Sequence, residues 1–425
     1  WATDYELPPL QIMRVRLEGL SNVDPQHGRR GALEVEIDGE WRALDDSEEP
    51  VAVGFERLLR AHDPDMILSE WGDSTLFPAL LRQARKLGLT LSLNRDAHPV
   101  ERRRARSYMS YGRILFKGST TTLFGRLHVD TQNSFIADQC DLEGLWELTR
   151  VTKLPVQYCA RTTTGTGISY MQMELAYGDG VLIPEQKAEP ESPKHPDELL
   201  LADRGGLVFL PRLGFFTNVG ELDFISEFPS IMARFNISPE TVNCGCCPEA
   251  PRIPELGYRI CQRRRGINSR VVERLIQKRQ EYKREMAAAA VDDRRRLAPL
   301  PLSEVAVFQS GAAGKAESLN CPTYAADSPA ALLERRHAAK QRRAALKWLL
   351  VCCFGYTGYK NARFGKIEAH EAINALAREK LLVAKETAEA RGYRVLHALV
   401  DSLYAQKEDA TREDYENLSR EIEQR

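Results

Sequence analysis

A carboxylate lies in the turn of an apolar hairpin near the end of the chain. Residues 393–406 have the pattern of a strand, a turn and a second strand, and Asp401 falls in the turn of VLHALVDSLY. A carboxylate among apolar side chains is costly unless it is paired or bound to a metal ion. This hairpin therefore predicts a functional site at its turn.

The rest of the chain mixes strand-like and helix-like segments. Residues 10–40 alternate apolar and polar side chains, as strands of an antiparallel or mixed sheet do. Helical spacing marks 51–61 and 75–88, with the short buried strand 66–68 between them. Later segments predict strands and hairpins at 105–130, a short helix at 141–150, a Pro-rich loop at 184–197, strands at 207–211 and 219–225, and helices at 268–290, 331–356 and 367–391. This pattern predicts a multidomain chain of α/β and α+β units.

Length and composition exclude several classes of protein. At 425 residues the chain is long enough for about three domains. Its 43% hydrophobic content excludes a disordered, collagen-like or disulfide-stapled chain. No apolar run approaches the roughly 20 residues that span a bilayer, so we expect no membrane partner. Adjacent cysteines such as Cys246 and Cys247 are poor disulfide partners, which favours a reducing cytosol.

The net charge of −1 hides an uneven distribution. Residues 1–100 carry 18 acidic and 11 basic side chains. Residues 252–296 carry 14 basic and 6 acidic side chains, and residues 334–366 carry 9 basic and one acidic. Such basic segments can neutralise phosphates, although solvated helix faces are the other interpretation.

Two further regions of the chain carry candidate functional residues, as the hairpin does. In LDFISEFPSI (222–231), Asp223 leaves a strand and Pro-Ser begins a helix; Asp223 and Ser226 could also simply cap that turn. On the predicted helices, Arg279 and Lys283 are i,i+4 neighbours on one face, and Lys347 lies on the second helix.

Together these segments resemble the family B DNA polymerases. LDFISEFPSI resembles the family's first polymerase motif, D-x-x-S-L-Y-P-S-I, and KWLLVCCFGYTGY (347–359) resembles the second, K-x-x-x-N-S-x-Y-G. HALVDS (397–402) resembles the third, Y-G-D-T-D-S. KRQEYK (278–283) is similar to the family's R-x-x-x-K, and DRGGLVFLP (203–211) to its Y-x-G-G loop.

The resemblance implies a fold and its domains. It predicts a ribonuclease H-like, exonuclease-type domain over 1–200, followed by a palm with an antiparallel sheet and by helical fingers. The palm would occupy 201–262 and 359–425, and the fingers 263–358 with a mobile insertion at about 287–332. The chain begins at Trp1 and ends soon after the third motif. We therefore expect a fragment that stops before the family's thumb.

The resemblance also implies roles for individual side chains. Asp223 and Asp401 would hold two Mg²⁺ or Mn²⁺ ions, as two-metal phosphoryl transfer requires. Phe228 would stack under the sugar and exclude a 2′-hydroxyl. Contacts with the incoming nucleotide are further implied for Ser226, Arg279, Lys283, Lys347 and Gly355. DNA contacts are expected from Gly205, Gly206, Arg263, Arg264, Arg265 and Tyr359.

Several positions depart from the family. Leu399 replaces the first Asp of the third motif, and Val351 replaces the Asn of the second. In the N-terminal domain, LQIMRVRLEG (10–19) resembles the first exonuclease motif, D-x-E, but Arg16 replaces its Asp and only Glu18 survives of the carboxylate pair. Leu76 stands where the second exonuclease motif has Asp. These losses predict no 3′–5′ exonuclease activity, and they are similar to those of a divergent archaeal and bacterial branch of the family.

Cysteines cluster in NCGCCPE. Cys244 and Cys247 have C-x-x-C spacing, and Cys261 follows 13 residues later as a third candidate ligand for zinc. A fourth ligand is clear only if Cys246 also binds, and the adjacent Cys247 makes that geometry awkward. Reduced thiols in a turn are the other interpretation.

Two functions remain open. The first is a template-directed DNA polymerase without proofreading, acting in repair or lesion bypass near the cytoplasmic nucleoid. Its partners would be primer–template DNA, deoxynucleoside triphosphates and processivity or repair proteins. The second is a catalytically inactive, polymerase-like DNA-binding or scaffold protein. A nuclease is a third and weaker interpretation.

Overall fold

The computed structural model describes residues 5–19, 31–110, 112–185, 191–202, 204–297 and 328–425. The first half of the chain contains β1 Ile12–Leu17, β2 Leu33–Ile37, β3 Glu40–Leu44, α1 Val51–His62, β4 Met66–Ser69, α2 Phe77–Leu87, β5 Glu101–Arg103, β6 Arg106–Ser110, β7 Arg113–Lys117, β8 Thr120–Thr122, β9 Leu127–Asp130, α3 Phe135–Thr152, α4 Val156–Ala160, α5 Thr164–Gly178 and α6 Pro196–Ala202. The second half contains β10 Val208–Phe209, β11 Val219–Asp223, α7 Glu227–Arg234, α8 Ile267–Leu297, α9 Pro329–Gly358, α10 Ile367–Ala390, β12 Arg394–Leu399, β13 Ser402–Gln406 and α11 Arg412–Gln424.

The N-terminal sheet is mixed and has five strands in the order β3-β2-β1-β4-β9. The first three strands pair antiparallel, whereas β4 lies parallel to both β1 and β9. Successive side chains of a strand point to opposite faces. On β4, Ile67 packs with α1 and α2, whereas Met66 and Leu68 join a core that includes α3 and α9. The sheet is therefore covered on both faces, as the α/β pattern predicts.

Helices α8 and α9 form a pair that packs on α3, α5 and α7. Buried residues along one side of each helix hold the pair together, among them Val272 and Leu275 on α8 and Leu346 and Leu349 on α9. The structure extends α8 to Leu297 and begins α9 at Pro329, so the predicted insertion is helical at both of its ends. Its middle, 298–327, lies outside the described residues, and Cys321 lies there too.

The C-terminal sheet is antiparallel, with the order β10-β12-β13-β11. Its apolar face carries Ala398, Leu403 and Ala405, which pack against Leu381 and Ala384 of α10. The sheet thus brings together the strand that ends at Asp223 and the hairpin predicted around Asp401.

Several sequence-based boundaries were wrong. The predicted helix 141–150 belongs to the longer α3, which bends at Asp141 because that residue has φ 46° and ψ −163°. The strand expected at 207–211 pairs only over Val208–Phe209, and the strand expected at 219–225 ends at Asp223. Helix α5 was not predicted, because its glycine-rich start, TGTG, is typical of a loop.

Within the part of the chain that the structure describes, no helix is long and apolar enough to cross a membrane.

Candidate active site

A cleft of about 770 Å³ opens between the C-terminal sheet and the helix pair. Its lining includes Asp223 and Ser226 to Ser230 from the β11–α7 segment, Arg279 and Lys283 from α8, Arg343, Lys347, Val351 and Phe354 from α9, and Asp401. Cavities of this size are typical of small-molecule sites. Three segments that are distant in sequence therefore meet at one cleft.

The C-terminal sheet positions Asp223 and Asp401. Asp223 is the last residue of β11 and lies opposite Ser402 of β13, so Asp401 is next to it in register. The backbone N–H of Phe224 donates to the carbonyl oxygen of Asp401 at 2.8 Å. Burial and the negative charges of Asp401 and Glu221 raise the pKa of Asp223. Two carboxylates are thus held side by side at the sheet edge.

A tight turn presents Asp401. Val400, the residue before it, adopts φ 55°, a left-handed conformation that costs free energy for a β-branched residue. The N–H of Val400 donates to the carbonyl of Leu207 at 2.9 Å. A Cβ atom on Gly206 would come within 2.8 Å of Val400 Cγ2. The glycine segment 205–206 therefore packs directly against the turn.

Glu227 is a third carboxylate in the cleft, and sequence reasoning missed it. It is only 6% exposed, and neither carboxylate oxygen has a hydrogen-bond partner among the described residues. Burial, together with the charges of Asp401 and Asp223, raises the pKa of Glu227 to about 8. The signal was present in the sequence, because Glu227 stands where the first motif of the family has Leu.

Four cations face these carboxylates across the cleft. Arg279 and Lys283 come from α8, and Lys347 and the unpredicted Arg343 come from α9. Among the described residues, no acidic side chain forms an ion pair with any of the four. Burial and the neighbouring charge of Arg343 lower the pKa of Arg279. The cleft therefore has free positive charge on one wall and carboxylates on the other.

Ser226 contacts Arg279 rather than capping α7. It is the N-cap residue of α7, but its side chain accepts no hydrogen bond from the helix. Its hydroxyl oxygen instead accepts a hydrogen bond from Arg279 Nη1 at 3.2 Å. The capping interpretation of Ser226 is therefore wrong, and the contact joins α7 to α8.

Aromatic rings stack at the side of the cleft. Phe228 stacks on Phe354 with ring centroids 4.3 Å apart, and Phe354 stacks on His370 at 4.2 Å. Phe228 is thereby held between α7 and α9.

The other predicted contact residues lie outside the cleft lining. Gly355 is exposed on α9, with open space where a Cβ atom would be. Gly205 adopts φ 62°, and its carbonyl accepts a hydrogen bond from Arg378 at 2.6 Å. Tyr359 follows α9, and its ring lies 5.5 Å from that of Tyr356.

The arginine triplet 263–265 is exposed and precedes α8. Arg264 donates to the carbonyl of Glu240, and Arg265 pairs with Glu273 at 2.9 Å. Arg263 makes no side-chain hydrogen bond or ion pair with any residue that the structure describes. Arg263 is thus the member of the triplet whose side chain has no partner among the described residues.

The predicted remnants of an exonuclease site do not form a carboxylate cluster. Arg16 pairs with Glu34 at 2.7 Å, Glu18 is exposed and Leu76 is buried in the N-terminal core. Beyond the ends of β4 and β9, Asp73 is 1% exposed and forms a two-pronged ion pair with Arg161, at 2.9 and 3.0 Å. Burial raises the pKa of Asp73, but Arg161 outweighs it and the pKa lies below its usual value.

The cysteine cluster is more complete than the sequence predicted. The Sγ atoms of Cys244, Cys246, Cys247 and Cys261 all lie within 4.8 Å of one another. The expectation that Cys246 is awkwardly placed as a ligand is wrong, because the turn at 244–247 directs both adjacent side chains inward.

The carboxylates fit a divalent metal ion. Glu227 has two buried oxygens without a donor, and it shares the cleft with two further carboxylates. Oxygen ligands with unsatisfied negative charge are what Mg²⁺ and Mn²⁺ bind. The residues that could hold such ions are therefore Asp223, Asp401 and Glu227.

Several known proteins are similar to this chain in sequence. Residues 154–298 match the model of the family described as DNA polymerase family B. The chain is 29% identical to DNA polymerase 2 of Saccharolobus solfataricus over 261 residues. This aligned region covers 61% of this chain and 32% of that protein. It is 24% identical to DNA polymerase 1 of Pyrococcus abyssi over 418 residues, and this alignment covers 86% of this chain and 48% of that protein.

A solved structure shares the fold. The family B DNA polymerase from the hyperthermophilic archaeon Pyrobaculum calidifontis matches 99% of this chain and 56% of its own, with a TM-score of 0.63 and 21% sequence identity. The chain spans 32% and 48% of the two curated relatives above. These matches confirm the family resemblance and the fold class that the motifs predict.

Proposed function

We propose that this chain, a divergent relative of the family B DNA polymerases, carries the catalytic centre of a template-directed DNA polymerase. One observation carries the proposal: three carboxylates and four unpaired cations face each other across one cleft. Phosphoryl transfer between polyanions needs positioning and charge neutralisation, and it needs no nucleophilic side chain.

Binding of the nucleotide follows from this charge arrangement. Arg279, Lys283, Arg343 and Lys347 would bind the triphosphate of a deoxynucleotide, since phosphate oxygens satisfy donors that lack acidic partners. Asp223, Asp401 and Glu227 would hold two Mg²⁺ or Mn²⁺ ions. Such ions supply charge neutralisation and activation of the attacking hydroxyl. The link between Ser226 and Arg279 fixes the nucleotide wall to the segment that carries the carboxylates.

The ring of Phe228 would select the sugar. A ring fixed between α7 and α9 cannot easily move away from a nucleotide in the cleft. It would exclude a 2′-hydroxyl and favour deoxynucleotides. Val351, 58% exposed on the cleft wall, stands where the family has Asn and offers the nucleotide no hydrogen bond.

The DNA partner would be a primer–template. The basic segments 252–296 and 334–366 provide phosphate contacts, and Arg263 is free to make one. The N-terminal unit would contribute surface without degrading DNA, because Arg161 neutralises Asp73 and neither Arg16 nor Leu76 can hold a metal ion. A polymerase without proofreading fits repair or lesion bypass.

Leu399 favours a second candidate function. It is 46% exposed at the end of β12, where the family has a carboxylate. A chain that lost this ligand could instead serve as a catalytically inactive, polymerase-like DNA-binding or scaffold protein.

Primer extension distinguishes the two. We expect the wild type to extend a primer with Mg²⁺ or Mn²⁺, and Asp223→Ala and Asp401→Ala to abolish extension while DNA binding persists. A null result in the wild type, in this chain and in a longer version of it, with DNA still bound, would support the scaffold instead. Degradation of the primer's 3′ end by this chain, if it depended on Glu18, would contradict the absence of proofreading.

A further inference from the structure

We propose that Cys244, Cys246, Cys247 and Cys261 bind one structural Zn²⁺ ion as a closed tetrathiolate site. This site is independent of the polymerase chemistry, because no residue of the cluster lines the active-site cleft. The distances between the sulfur atoms, a backbone donor to Cys247 and the basic residues beside the cluster support this site.

The distances between sulfur atoms fit one tetrahedral ion. Cys246 Sγ lies 3.3 Å from Cys244, 3.7 Å from Cys247 and 3.6 Å from Cys261, and Cys247 lies 3.8 Å from Cys261. Four thiolates at about 2.3 Å from a tetrahedral zinc would be separated by about 3.8 Å. A disulfide needs about 2.05 Å between sulfurs, so these thiols are not oxidised pairs. All four are free cysteines.

The same distances argue against an iron–sulfur cluster. In such clusters the four cysteines are divided among two or more iron atoms, and the cluster's own irons and sulfides separate thiolates on different irons. Four sulfurs that all lie within 4.8 Å of one another leave no room for that core. A single ion with four protein ligands and no open position is the structural class of zinc site.

A backbone donor contacts one of the buried sulfurs. The N–H of Gln262 donates to Cys247 Sγ at 3.4 Å. Donors of this kind stabilise thiolates and orient metal ligands. Four thiolates and one Zn²⁺ carry a net charge of −2, and the arginine triplet that follows Cys261 offsets it.

The site would fix the connection between α7 and α8. Within this connection, the residues on either side of the cysteine loop already pair: Val242 and Ile260 form an isolated bridge, and the N–H of Cys261 donates to the carbonyl oxygen of Thr241 at 2.9 Å. A zinc ion would join the 244–247 turn to Cys261 across the intervening loop. It would thereby hold Arg263 at the N-terminal end of α8, while remaining remote from the reaction.

Metal content and spectroscopy test this site in the purified chain. We expect about one zinc per chain by elemental analysis, and a Co²⁺-substituted protein with the ligand-field and thiolate charge-transfer bands of a tetrahedral tetrathiolate. Cys244→Ser, Cys247→Ser and Cys261→Ser should each lower the zinc content at least about tenfold. Cys246→Ser should shift the Co²⁺ spectrum to that of three thiolates. Cys352→Ser, which can retain its hydrogen bond with Thr164, is the matched control and should keep full zinc content.

Other results would overturn the proposal. Wild-type protein that contains no metal after purification and after zinc addition would exclude the site, and this readout does not depend on any variant folding. Iron with acid-labile sulfide would assign a cluster instead of zinc. A Co²⁺ spectrum unchanged by Cys246→Ser would exclude the fourth ligand.

Discussion

Phe228 and Phe354 stack with their ring centroids 4.3 Å apart and their planes inclined by 24°. Phe228 follows the carboxylate Glu227 on α7, whereas Phe354 lies on α9 one turn beyond Leu350, which also lines the cleft. Stacked aromatic pairs contribute about 0.5–1.5 kcal/mol beyond the area that they bury. The contact therefore fixes the ring of Phe228 at the side of the cleft, where we propose that it meets a bound sugar.

Replacing Phe228 should relax the selection of the sugar. We expect Phe228→Ala to reduce the preference for deoxynucleotides over ribonucleotides by about 10- to 200-fold, the range for removing one steric contact in a pocket. The measurement is the ratio of kcat/KM for the two nucleotides in primer extension. Phe228→Tyr should keep the preference, and Phe124→Ala, which removes a ring tilted against that of His98 in the N-terminal unit, should not change it. Equal ratios for Phe228→Ala and the wild type would exclude this role.

Glu227 should make the stability of the metal-free protein depend on pH. Its pKa is about 8 in the folded chain, compared with 4.5 for a free glutamate. Between these values the folded state holds a proton that the unfolded state has lost, so the free energy of unfolding should fall as the pH rises from 4.5 to 8. The loss should be on the order of a few kcal/mol. Urea unfolding across this range measures it.

Two comparisons separate Glu227 from other carboxylates. Glu227→Gln should remove most of this decline, whereas Glu413→Gln, an exposed carboxylate on α11, should not. Added Mg²⁺ should raise the stability of the wild type at pH 8 more than that of Glu227→Gln, because the ionised side chain would be a ligand. A decline that persists in Glu227→Gln would contradict this account of the site.

Leu399→Asp should increase extension. The position is 46% exposed at the end of β12, so a carboxylate there would not be buried. It would add a charge beside Asp401 that can assist metal binding. We expect the rate of single-nucleotide incorporation to rise at least about tenfold, which corresponds to about 1.4 kcal/mol in the barrier. Leu399→Asn is the control of similar shape without the charge. No difference between the two variants would mean that Leu399 does not limit the reaction.

Sequence reasoning identified those elements that local patterns determine. Helical spacing placed α1 and α2, and Gly88 ends α2 in the left-handed conformation that glycine adopts readily. The turn that holds Asp401 and the strand that ends at Asp223 also follow from local pattern. The order of the motifs, through the family resemblance, then predicted that Asp223 and Asp401 lie in the same site.

What the sequence did not predict depends on long-range packing. Asp73 and Arg161 are 88 residues apart, and no local spacing indicates that they pair. Glu227 belongs to the cleft because α7 begins at that residue and turns its side chain toward Asp401. Arg343 likewise joins the cleft only because α9 packs beside α8, and Cys246 meets Cys261 only when two separate segments come together.

The ion pair of Asp73 with Arg161 should be essential for stability. Both side chains are buried, and Arg161 also donates to the carbonyls of Thr121, His128 and Gln157. Arg161→Met should lower the free energy of unfolding by about 3–5 kcal/mol, because it leaves a buried carboxylate without its partner. Arg57→Met, which removes an exposed ion pair with Glu49, should cost at most about 1 kcal/mol. Urea unfolding of both variants measures these changes in the free energy of unfolding. Similar decreases in Arg161→Met and Arg57→Met would contradict the special role of the buried pair.

Arg263 should contribute one phosphate contact to DNA binding. Its exposed guanidinium has no partner among the described residues, whereas Arg265 pairs with Glu273. Each phosphate that a protein neutralises adds about 0.9 to the slope of log affinity against log salt. Arg263→Gln should therefore reduce the magnitude of that slope for primer–template DNA by about 1. Fluorescence anisotropy titrations between low and moderate salt measure it. Arg412→Gln, an arginine that is 93% exposed on α11, is the control and should leave the slope unchanged. An unaltered slope for Arg263→Gln would place the arginine triplet away from the DNA.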